Sequence, residues 1–460
     1  MHIPARRTSP PLARGLRFAA VLAGVLAGVL AGRPTLAQGA ADTLARPLTL
    51  GDASRLAARQ SAVAEGARLR ADQAGARARQ RRAELLPSVS ALGSDGQRTF
   101  NTATFGLSLP GFDPEGDVVG PVRTIDVRGR VAQNILDLAA VDRYRSARTT
   151  AHASDAEAAS VAEQAAGIAA SAYLRSVRAD AQLRARTADS ALAGELLGIA
   201  REQLQAGVGV ALDVTRAEAQ VASVQAQLIA ARNERDRAQL ELRRALGVPL
   251  DRPLQLADSL DRLALADSLP DERATVDRAL RSRPDLRAAD AQLRAAEQQI
   301  TAIRAERLPA VGAFADRGAI GKDYGNLKNT YTWGVQLSVP VFDGLRRESR
   351  IEEQRALAQE LDVRRRDLRQ QAAIEVRGAL LDLASAREQV AASRERLRLA
   401  EQELTQARDR FRAGVAGNAD VITASLALNG SRNLLIDALT LYQSARVNLA
   451  RAQGSVTELP

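Results

Sequence analysis

The chain repeats one long pattern twice, and this duplication limits the possible folds more than any other feature of the sequence. Three landmarks recur at a constant offset of 207 residues: Gly207 with Gly414, Asp213 with Asp420, and Gly247 with Gly454. Pro87 and Pro309 match at a larger offset of 222, so the first copy carries about 15 additional residues, a length consistent with a loop insertion. Solenoid units repeat every 20 to 50 residues or so, far less than these copies. We therefore expect a duplication of one complex module.

Each copy is predicted to contain a helix, two strands around a loop, a very long helix, a tight turn and a last helix. The first helices are expected at 52–86 and 274–308, each followed by a proline that stops the helix. The clearest strand is 331–339, in which apolar residues alternate with polar residues or glycine. Its counterpart is 125–132, and weaker partner strands follow the two prolines. The sequence thus predicts four strands.

The long helices are expected at 138–206 and 345–413, and the second carries a strict heptad pattern. Its large residues are Val376, Leu383, Val390, Leu397, Leu404 and Phe411, and a small residue follows each one three positions later. This pattern favours a left-handed coiled coil with close helix packing. The first copy keeps only part of it, with interruptions at Arg186 and Ser190. From the heptads alone, any antiparallel coiled-coil hairpin remains an alternative. Two shorter helices stacked end to end would match one long helix, which at 70 residues extends about 105 Å.

The N-terminus has the pattern of an export signal. Several arginines precede the apolar run 18–32, and small residues follow it, so residues 1–37 are predicted to be a signal peptide. The apolar run is too short for a membrane-spanning helix, which needs about 20 residues. Five of the positive charges behind the net charge of +10 would leave with this segment. The remaining basicity is weak, and no nucleic-acid partner is predicted.

Composition argues against an enzyme. The chain has no Cys and two His, which excludes a disulfide framework, a thiolate site and a multi-histidine metal centre. Phosphate-binding loops, HExxH, GxSxG and SxxK motifs are absent from the sequence. Charged residues alternate in sign along helix faces, as on solvated surfaces. We predict no catalytic residue, no cofactor and no metal site.

Four strands cannot close into a barrel that holds anything, and an open sheet in lipid leaves backbone groups unpaired. An exported chain with alternating strands is therefore expected to close its sheet between copies. Three copies would give 12 strands and 12 helical columns.

Several short motifs carry a resemblance to a known family. They are Arg283-Pro284-Asp285-Leu286, Leu308-Pro309, 337–344 (LSVPVFDG), and Gly414 followed by Ala419-Asp420-Val421. In this order, behind a signal peptide and within duplicated copies, the sequence resembles the TolC-like outer-membrane efflux proteins, also called outer membrane factors, over about residues 42–456. The resemblance implies a mainly α-helical homotrimer whose 12-strand outer-membrane β-barrel continues as a 12-column periplasmic α-helical barrel. It also implies a passive exit duct of a tripartite efflux or type I secretion system.

The expected division of the chain follows from the duplication and the resemblance. After the signal peptide, repeat 1 covers 38–250, a linker covers 251–273, and repeat 2 covers 274–456. The β-hairpins are expected at about 88–135 and 310–341. The implied partners are a periplasmic adaptor protein, an inner-membrane transporter and outer-membrane lipid.

The candidate site residues lie mainly at the two turns between antiparallel helices. The turn residues are Gly207, Val208, Gly209, Gly414, Val415 and Gly417. Their glycines suit chain reversal, and the resemblance adds docking of the adaptor. Asp213 and Asp420 follow the turns, where helix capping and the helix dipole both favour an acid near a helix N-terminus on local grounds alone. In the family, acids matching Asp420 form a ring at the periplasmic mouth.

Two further positions at this mouth are compared with the family pattern. Thr423 replaces a second acid ring found in some members, and Phe411 stands where some relatives have a gating Tyr. On the strands, Tyr331 and Trp333 are expected at the membrane interface, with ordinary strand packing as the alternative.

Two other classes of protein share part of this pattern. A periplasmic coiled-coil adaptor or scaffold would also have a signal peptide and a helical hairpin. It would contain only one such hairpin, however, and it would also contain lipoyl-like domains. A filament-like coiled coil would continue its heptads through 88–136. The duplicated hairpins and alternating strands favour the duct.

Overall fold

The structure is a computed structural model that describes residues 46–102, 117–260, 268–413, 415 and 417–460. The predicted signal peptide 1–37, the inserted loop around 110–116 and Gly414 lie outside the described residues. Residues 48–460 form one compact unit. Its helices are α1 Leu50–Gln60, α2 Ala62–Ala83, α3 Leu138–Gln205, α4 Ala211–Leu246, α5 Glu272–Ser282, α6 Pro284–Ala305, α7 Arg346–Arg412 and α8 Asn418–Gln453. Its strands are β1 Ser88–Asn101, β2 Val118–Leu136, β3 Ala310–Gly321 and β4 Lys328–Ser338.

The first helix of each copy is broken in two, so the prediction of single helices at 52–86 and 274–308 is wrong. In the second copy, Arg283 precedes Pro284 and takes a non-helical ψ of 126°, because proline excludes its predecessor from the helical region. In the first copy, Ser61 takes an extended ψ of 144° without a following proline. Its hydroxyl instead accepts a hydrogen bond from Ala64 N at 3.3 Å and caps α2.

These breaks are the places where shorter helices stack end to end. α4 ends at Gly247, whose left-handed φ of 70° brings it against Gln60 and Ser61, and a Cβ there would lie 2.7 Å from the Gln60 carbonyl oxygen. α8 ends at Gly454, with φ 71°, against Arg283 and Pro284. The C-terminal end of one helix thus faces the N-terminal end of the next, an arrangement that aligns their dipoles.

Polar side chains near the breaks satisfy the last carbonyl groups of the stacked helices. Gln60 donates to Leu246 O at 3.3 Å, Ser282 to Gln453 O at 3.1 Å, and Arg283 to Ala452 O at 3.2 Å. In each copy, two short helices therefore form one continuous column beside a long helix. This is the end-to-end stacking that the helix lengths predict.

The predicted heptad face of α7 is the face that packs, which confirms this part of the prediction. Its large residues are almost all buried: Val376, Leu383, Val390, Leu404 and Phe411. Leu397 is partly buried against a cluster that contains Leu404 and Phe411 together with Leu196 of α3 and Val421, Ala424 and Leu428 of α8. Small residues at the alternate positions, such as Ala386, are buried as well and let the helices approach closely.

The four strands form one antiparallel sheet in the order β1-β2-β3-β4. β2 comes from the first copy and β3 from the second, so their pairing joins the two repeats. β1 and β4 are the two edges of the sheet. Asp137 follows β2 directly and caps the first long helix by accepting from Ala140 N at 2.9 Å. Within the described part of the chain, no helix combines the length and the apolarity that crossing a membrane demands.

Candidate functional site

The turn between α3 and α4 depends on glycine at two positions. Gly207 has a left-handed φ of 73°, a conformation that costs a side chain energy. Gly209 packs so closely that a Cβ would lie 2.9 Å from Leu204 N. The backbone N–H groups of Val208 and Gly209 both donate to Gln203 O, at 3.0 and 2.9 Å. This tight reversal leaves the Val208 side chain 79% exposed at its tip.

The turn between α7 and α8 is described at Ala413, Val415 and Gly417. Val415 N donates to Arg410 O at 3.1 Å, and the Val415 side chain is exposed. Gly417 precedes α8 in an extended conformation, φ −79° and ψ 164°. A Cβ added at Gly417 would meet nothing within 4 Å. A side chain therefore has room at Gly417, the residue that precedes α8.

Two hydrogen bonds hold the turns together, and the sequence analysis missed both. The Gln203 side chain donates to Phe411 O at 3.0 Å, and the Asn418 side chain donates to Asp213 O at 3.0 Å. Asn418 is fully buried, and its Oδ1 has no partner among the described residues. Neither contact leaves a periodic signal, because each joins residues more than 200 positions apart. Both turns consequently lie side by side at one end of the helical bundle.

The two predicted acids lie in the first turns of α4 and α8, but neither is the capping residue. The N-cap positions are Val210 and Gly417, and neither has a side-chain capping hydrogen bond. Asp213 is half-buried, with Oδ1 3.8 Å from Arg216 Nη1. Asp420 is exposed. The local effect that both acids keep is a favourable interaction with the dipole of their own helix.

Thr423 and Phe411 are placed very differently. Thr423 is exposed one turn after Asp420, and its hydroxyl donates to Ala419 O at 2.9 Å. Phe411 is only 2% exposed and packs within the cluster formed by α3, α7 and α8. In the single chain its ring is therefore a core element and faces no open surface.

A buried ionic cluster joins α3 to α8 further from the turns. Asp189 is buried and lies 3.2 Å from Arg186 and 3.1 Å from Arg432. The side-chain amide of Asn429 faces the same carboxylate. Burial raises the pKa of Asp189 above its usual range, and the two arginines counteract part of this rise. Arg186 is the residue that interrupts the heptads of the first copy, so the interruption was the one sequence signal for this cluster.

Nothing in this region resembles a cofactor or metal site. Over the described ranges, no group of three or more His, Asp or Glu residues has the geometry to hold a metal ion. One predicted acid follows each turn, Asp213 or Asp420, and the buried acid Asp189 is paired with two arginines. The arrangement can therefore attract or repel ions, but it does not ligate one.

Comparisons with known proteins extend over most of the chain. The family profile described as outer membrane efflux protein matches residues 53–248 and 275–455. The alkaline protease secretion protein AprF of Pseudomonas aeruginosa is 27% identical over 392 residues, covering 82% of this chain and 78% of the relative. The probable efflux pump outer membrane protein TtgC of Pseudomonas putida is 27% identical over 404 residues, covering 84% and 79%.

Solved structures support the same fold. The outer-membrane channel OprN aligns with a TM-score of 0.73 at 20% identity, covering 88% of this chain and 90% of that one. The open state of the MtrE outer membrane channel of Neisseria gonorrhoeae aligns with a TM-score of 0.73 at 20% identity, covering 89% of each chain. The resemblance predicted from the motifs is thus confirmed, and the duct is favoured over the adaptor. Family members are channel proteins rather than enzymes. The chain belongs to the outer membrane efflux protein family, as an outer-membrane exit duct with a long periplasmic helical part.

Proposed function

We propose that three copies of this chain assemble into one continuous duct, with a 12-strand barrel in the outer membrane and 12 helical columns in the periplasm. The observation that carries this proposal is the open four-stranded sheet, in which β1 pairs only with β2 and β4 only with β3 among the described strands, so that the sheet has two open edges. Unpaired edges are not tolerated in lipid. Pairing β4 of one copy with β1 of the next would remove every edge.

The two faces of the sheet differ in the way that such a barrel requires. On one face, large apolar side chains are exposed: Val89, Val127, Val131, Tyr331, Trp333, Val335 and Leu337. On the other face, Asp126, Arg128 and Thr330 are half-buried in the single chain, whereas most of their neighbours along the strands are exposed, with buried Ile125 as the exception. This difference supports a concave polar face. We therefore propose that the apolar face contacts lipid, with Tyr331 and Trp333 at the interface.

We propose that the paired turns form the periplasmic mouth of the duct. Asp213 and Asp420 follow the two turns, and threefold symmetry would gather six carboxylates around one opening. Thr423 would lie one turn further along the wall. Such a ring would attract cations in proportion to its charge. Phe411 supports the mouth from within the helical packing instead of lining it.

We propose that the exposed tips of the turns dock a periplasmic adaptor, which links the duct to an inner-membrane transporter. Val208 and Val415 offer exposed apolar side chains there, between the turn glycines Gly207, Gly209, Gly414 and Gly417. The names of the relatives, an efflux pump outer membrane protein and a protease secretion protein, support partners of this kind. Specificity for cargo would then reside mainly in the transporter.

We also propose the division of the chain into a signal peptide, residues 1–37, repeat 1, residues 38–250, a linker, residues 251–273, and repeat 2, residues 274–456. The order of helices and strands, the same in both copies, supports this division. The left-handed glycines that end α4 and α8 support equivalent ends for the two repeats.

Docking is tested by placing a bulky side chain at Gly417. Since a side chain there meets open space, Gly417→Trp is expected to fold and form trimers but to lose export. Gly325→Trp, in the loop between β3 and β4, is the matched control, because a side chain at Gly325 also meets open space. Trimer content is read by chemical crosslinking, and export by resistance of a strain whose own duct has been deleted. Full export by Gly417→Trp would refute docking at this turn, whereas failure of the unaltered chain to form membrane trimers would refute the duct itself.

A further inference from the structure

The concave face of the sheet carries a cluster of charged side chains to which the duct function gives no role. Arg128 and Arg130 of β2 both reach Asp316 of β3, with N–O distances of 3.3 Å each. Arg128 also donates through Nε to Asp126 Oδ1 at 3.0 Å. The register explains these contacts, because Arg130 lies directly opposite Asp316 across the β2–β3 ladder. The cluster thus combines two arginines and two acids on one face.

Asp316 and Arg130 of this cluster differ in exposure, whereas Asp126 and Arg128 are similar, at 21% and 27%. The Asp316 side chain is 3% exposed, whereas that of Arg130 is 45% exposed. The Arg130 guanidinium also lies 5.5 Å from the centroid of the Phe314 ring, within the range of a cation–π interaction. The acid therefore lies at the base of the cluster and the guanidinium group lies above it. A solute next to this face meets positive charge first.

The rest of the concave face adds to this positive charge. Its charged residues among the described strands are Arg98, Asp126, Arg128, Arg130, Asp316 and Lys328, four basic and two acidic. Opposite Arg130 on β1 lies Ser90, and opposite Asp316 on β4 lies Thr332, so the neighbouring strands contribute hydroxyl groups at this level. Fixed charges act over about 10 Å at 0.1 M salt, and a low-dielectric wall focuses their field.

We propose that the barrel lumen is an anion-selecting segment, in which Arg128 and Arg130 of each copy form a positively charged ring that favours solutes bearing carboxylate or phosphate groups. This inference rests on the proposed function, in which the concave face encloses the lumen. The acids at the periplasmic mouth and the arginines in the barrel would then act on opposite charges at the two ends of the duct. Asp126 and Asp316 are positioning residues that hold the guanidinium groups.

The test uses a paired variant that keeps the net charge. Arg130→Gln with Asp316→Asn removes one positive and one negative charge and leaves no buried acid without a partner. Purified trimers are placed in planar lipid bilayers under a tenfold KCl gradient, all in an Asp420→Asn background that removes three of the six acids proposed at the mouth. The reversal potential gives the ratio of chloride to potassium permeability. We expect this ratio to fall about twofold or more, because the exposed charge is the arginine.

Arg317→Gln is the matched control. Arg317 lies beside Asp316 on the opposite, convex face, and opposite Gly129 in the ladder. This variant changes the net charge but is expected to leave the permeability ratio unchanged. An unchanged ratio in the paired variant, or an equal fall in Arg317→Gln, would overturn the inference.

A second measurement uses sodium tripolyphosphate, added to the chamber facing the barrel end. We expect this polyanion to block the current, with a half-blocking concentration at least about threefold higher in the paired variant, since fixed lumen charge concentrates counter-ions. If the paired variant does not assemble, Arg98→Gln replaces it, because Arg98 makes no ion pair among the described residues. If tripolyphosphate blocks these variants and the unaltered chain at the same concentration, the charged cluster only stabilises the sheet. Absence of any channel in the unaltered chain would instead contradict the proposed function.

Discussion

The ionic cluster around Asp189 makes a quantitative prediction about the packing of α3 against α8. Arg432→Met removes one partner, 3.1 Å from Asp189 Oδ1, and keeps most of the apolar stem. Breaking a buried ion pair costs about 3 to 5 kcal/mol, because a charge is left uncompensated. Arg186 remains at 3.2 Å, and Arg432 itself is 29% exposed, so we expect a smaller loss of about 2 to 3 kcal/mol per chain in the free energy of unfolding.

The pH dependence of this loss has a definite sign. Burial raises the pKa of Asp189 in the folded state, and removing Arg432 raises it further. A carboxyl group whose pKa is raised on folding favours the folded state below its unfolded pKa of about 3.9, and this contribution is lost as the pH rises through the folded pKa. The deficit of Arg432→Met is therefore expected to be largest at neutral pH and to shrink as Asp189 becomes protonated in acid.

The assay is guanidinium unfolding of detergent-solubilised trimers, followed by circular dichroism at several pH values between 4 and 8. Arg178→Met is the matched control, because Arg178 pairs with Asp437 at 2.8 Å between the same two helices but on the surface. Exposed pairs contribute about 1 kcal/mol or less. Combining Arg432→Met with Asp189→Asn is expected to restore most of the loss. A deficit no larger than that of Arg178→Met, or one independent of pH, would refute the reasoning.

Two further predictions concern the turns. Gly207→Ala is expected to lower the free energy of unfolding by about 1 to 2 kcal/mol, because φ at Gly207 is positive. Gly417→Ala is expected to leave it nearly unchanged, because a Cβ at Gly417 meets open space. Equal melting temperatures for the two variants would contradict the geometry. Asp420→Asn is expected to weaken block of the single-channel current by hexaamminecobalt(III) added at the helical end. Identical block in the variant and in the unaltered chain would remove Asp420 from the mouth.

Much of the fold follows from periodicity in the sequence. The heptads of α7 identified the buried face because a repeat of seven keeps one side of a helix toward its neighbours. Strict alternation identified β4, since successive side chains of a strand point to opposite faces. The duplication gave the equivalence of the two turns. The heptads and the alternation are local signals, and each indicates which face of its element packs.

Other features depend on contacts that periodicity does not report. The break at Ser61 has no proline, and it reflects a capping hydroxyl and the arrival of Gly247 from a helix about 190 residues away. The positions of Gln203 and Asn418 depend on the packing of α3 and α4 against α7 and α8. Phe411 matched a family position for a gating side chain, but its heptad position places it in the core. A role of Phe411 in gating stays a prediction.

The end-to-end joints at Gly247 and Gly454 have a mechanical consequence. A continuous helix bends sharply only by losing main-chain hydrogen bonds, whereas a joint between two stacked helices is held by side-chain bonds to terminal carbonyl groups. Both joints lie beside an uninterrupted long helix, one in each repeat. In this chain half of the columns therefore contain a joint and half are continuous helices, so bending at a joint would leave the helices on either side of it intact.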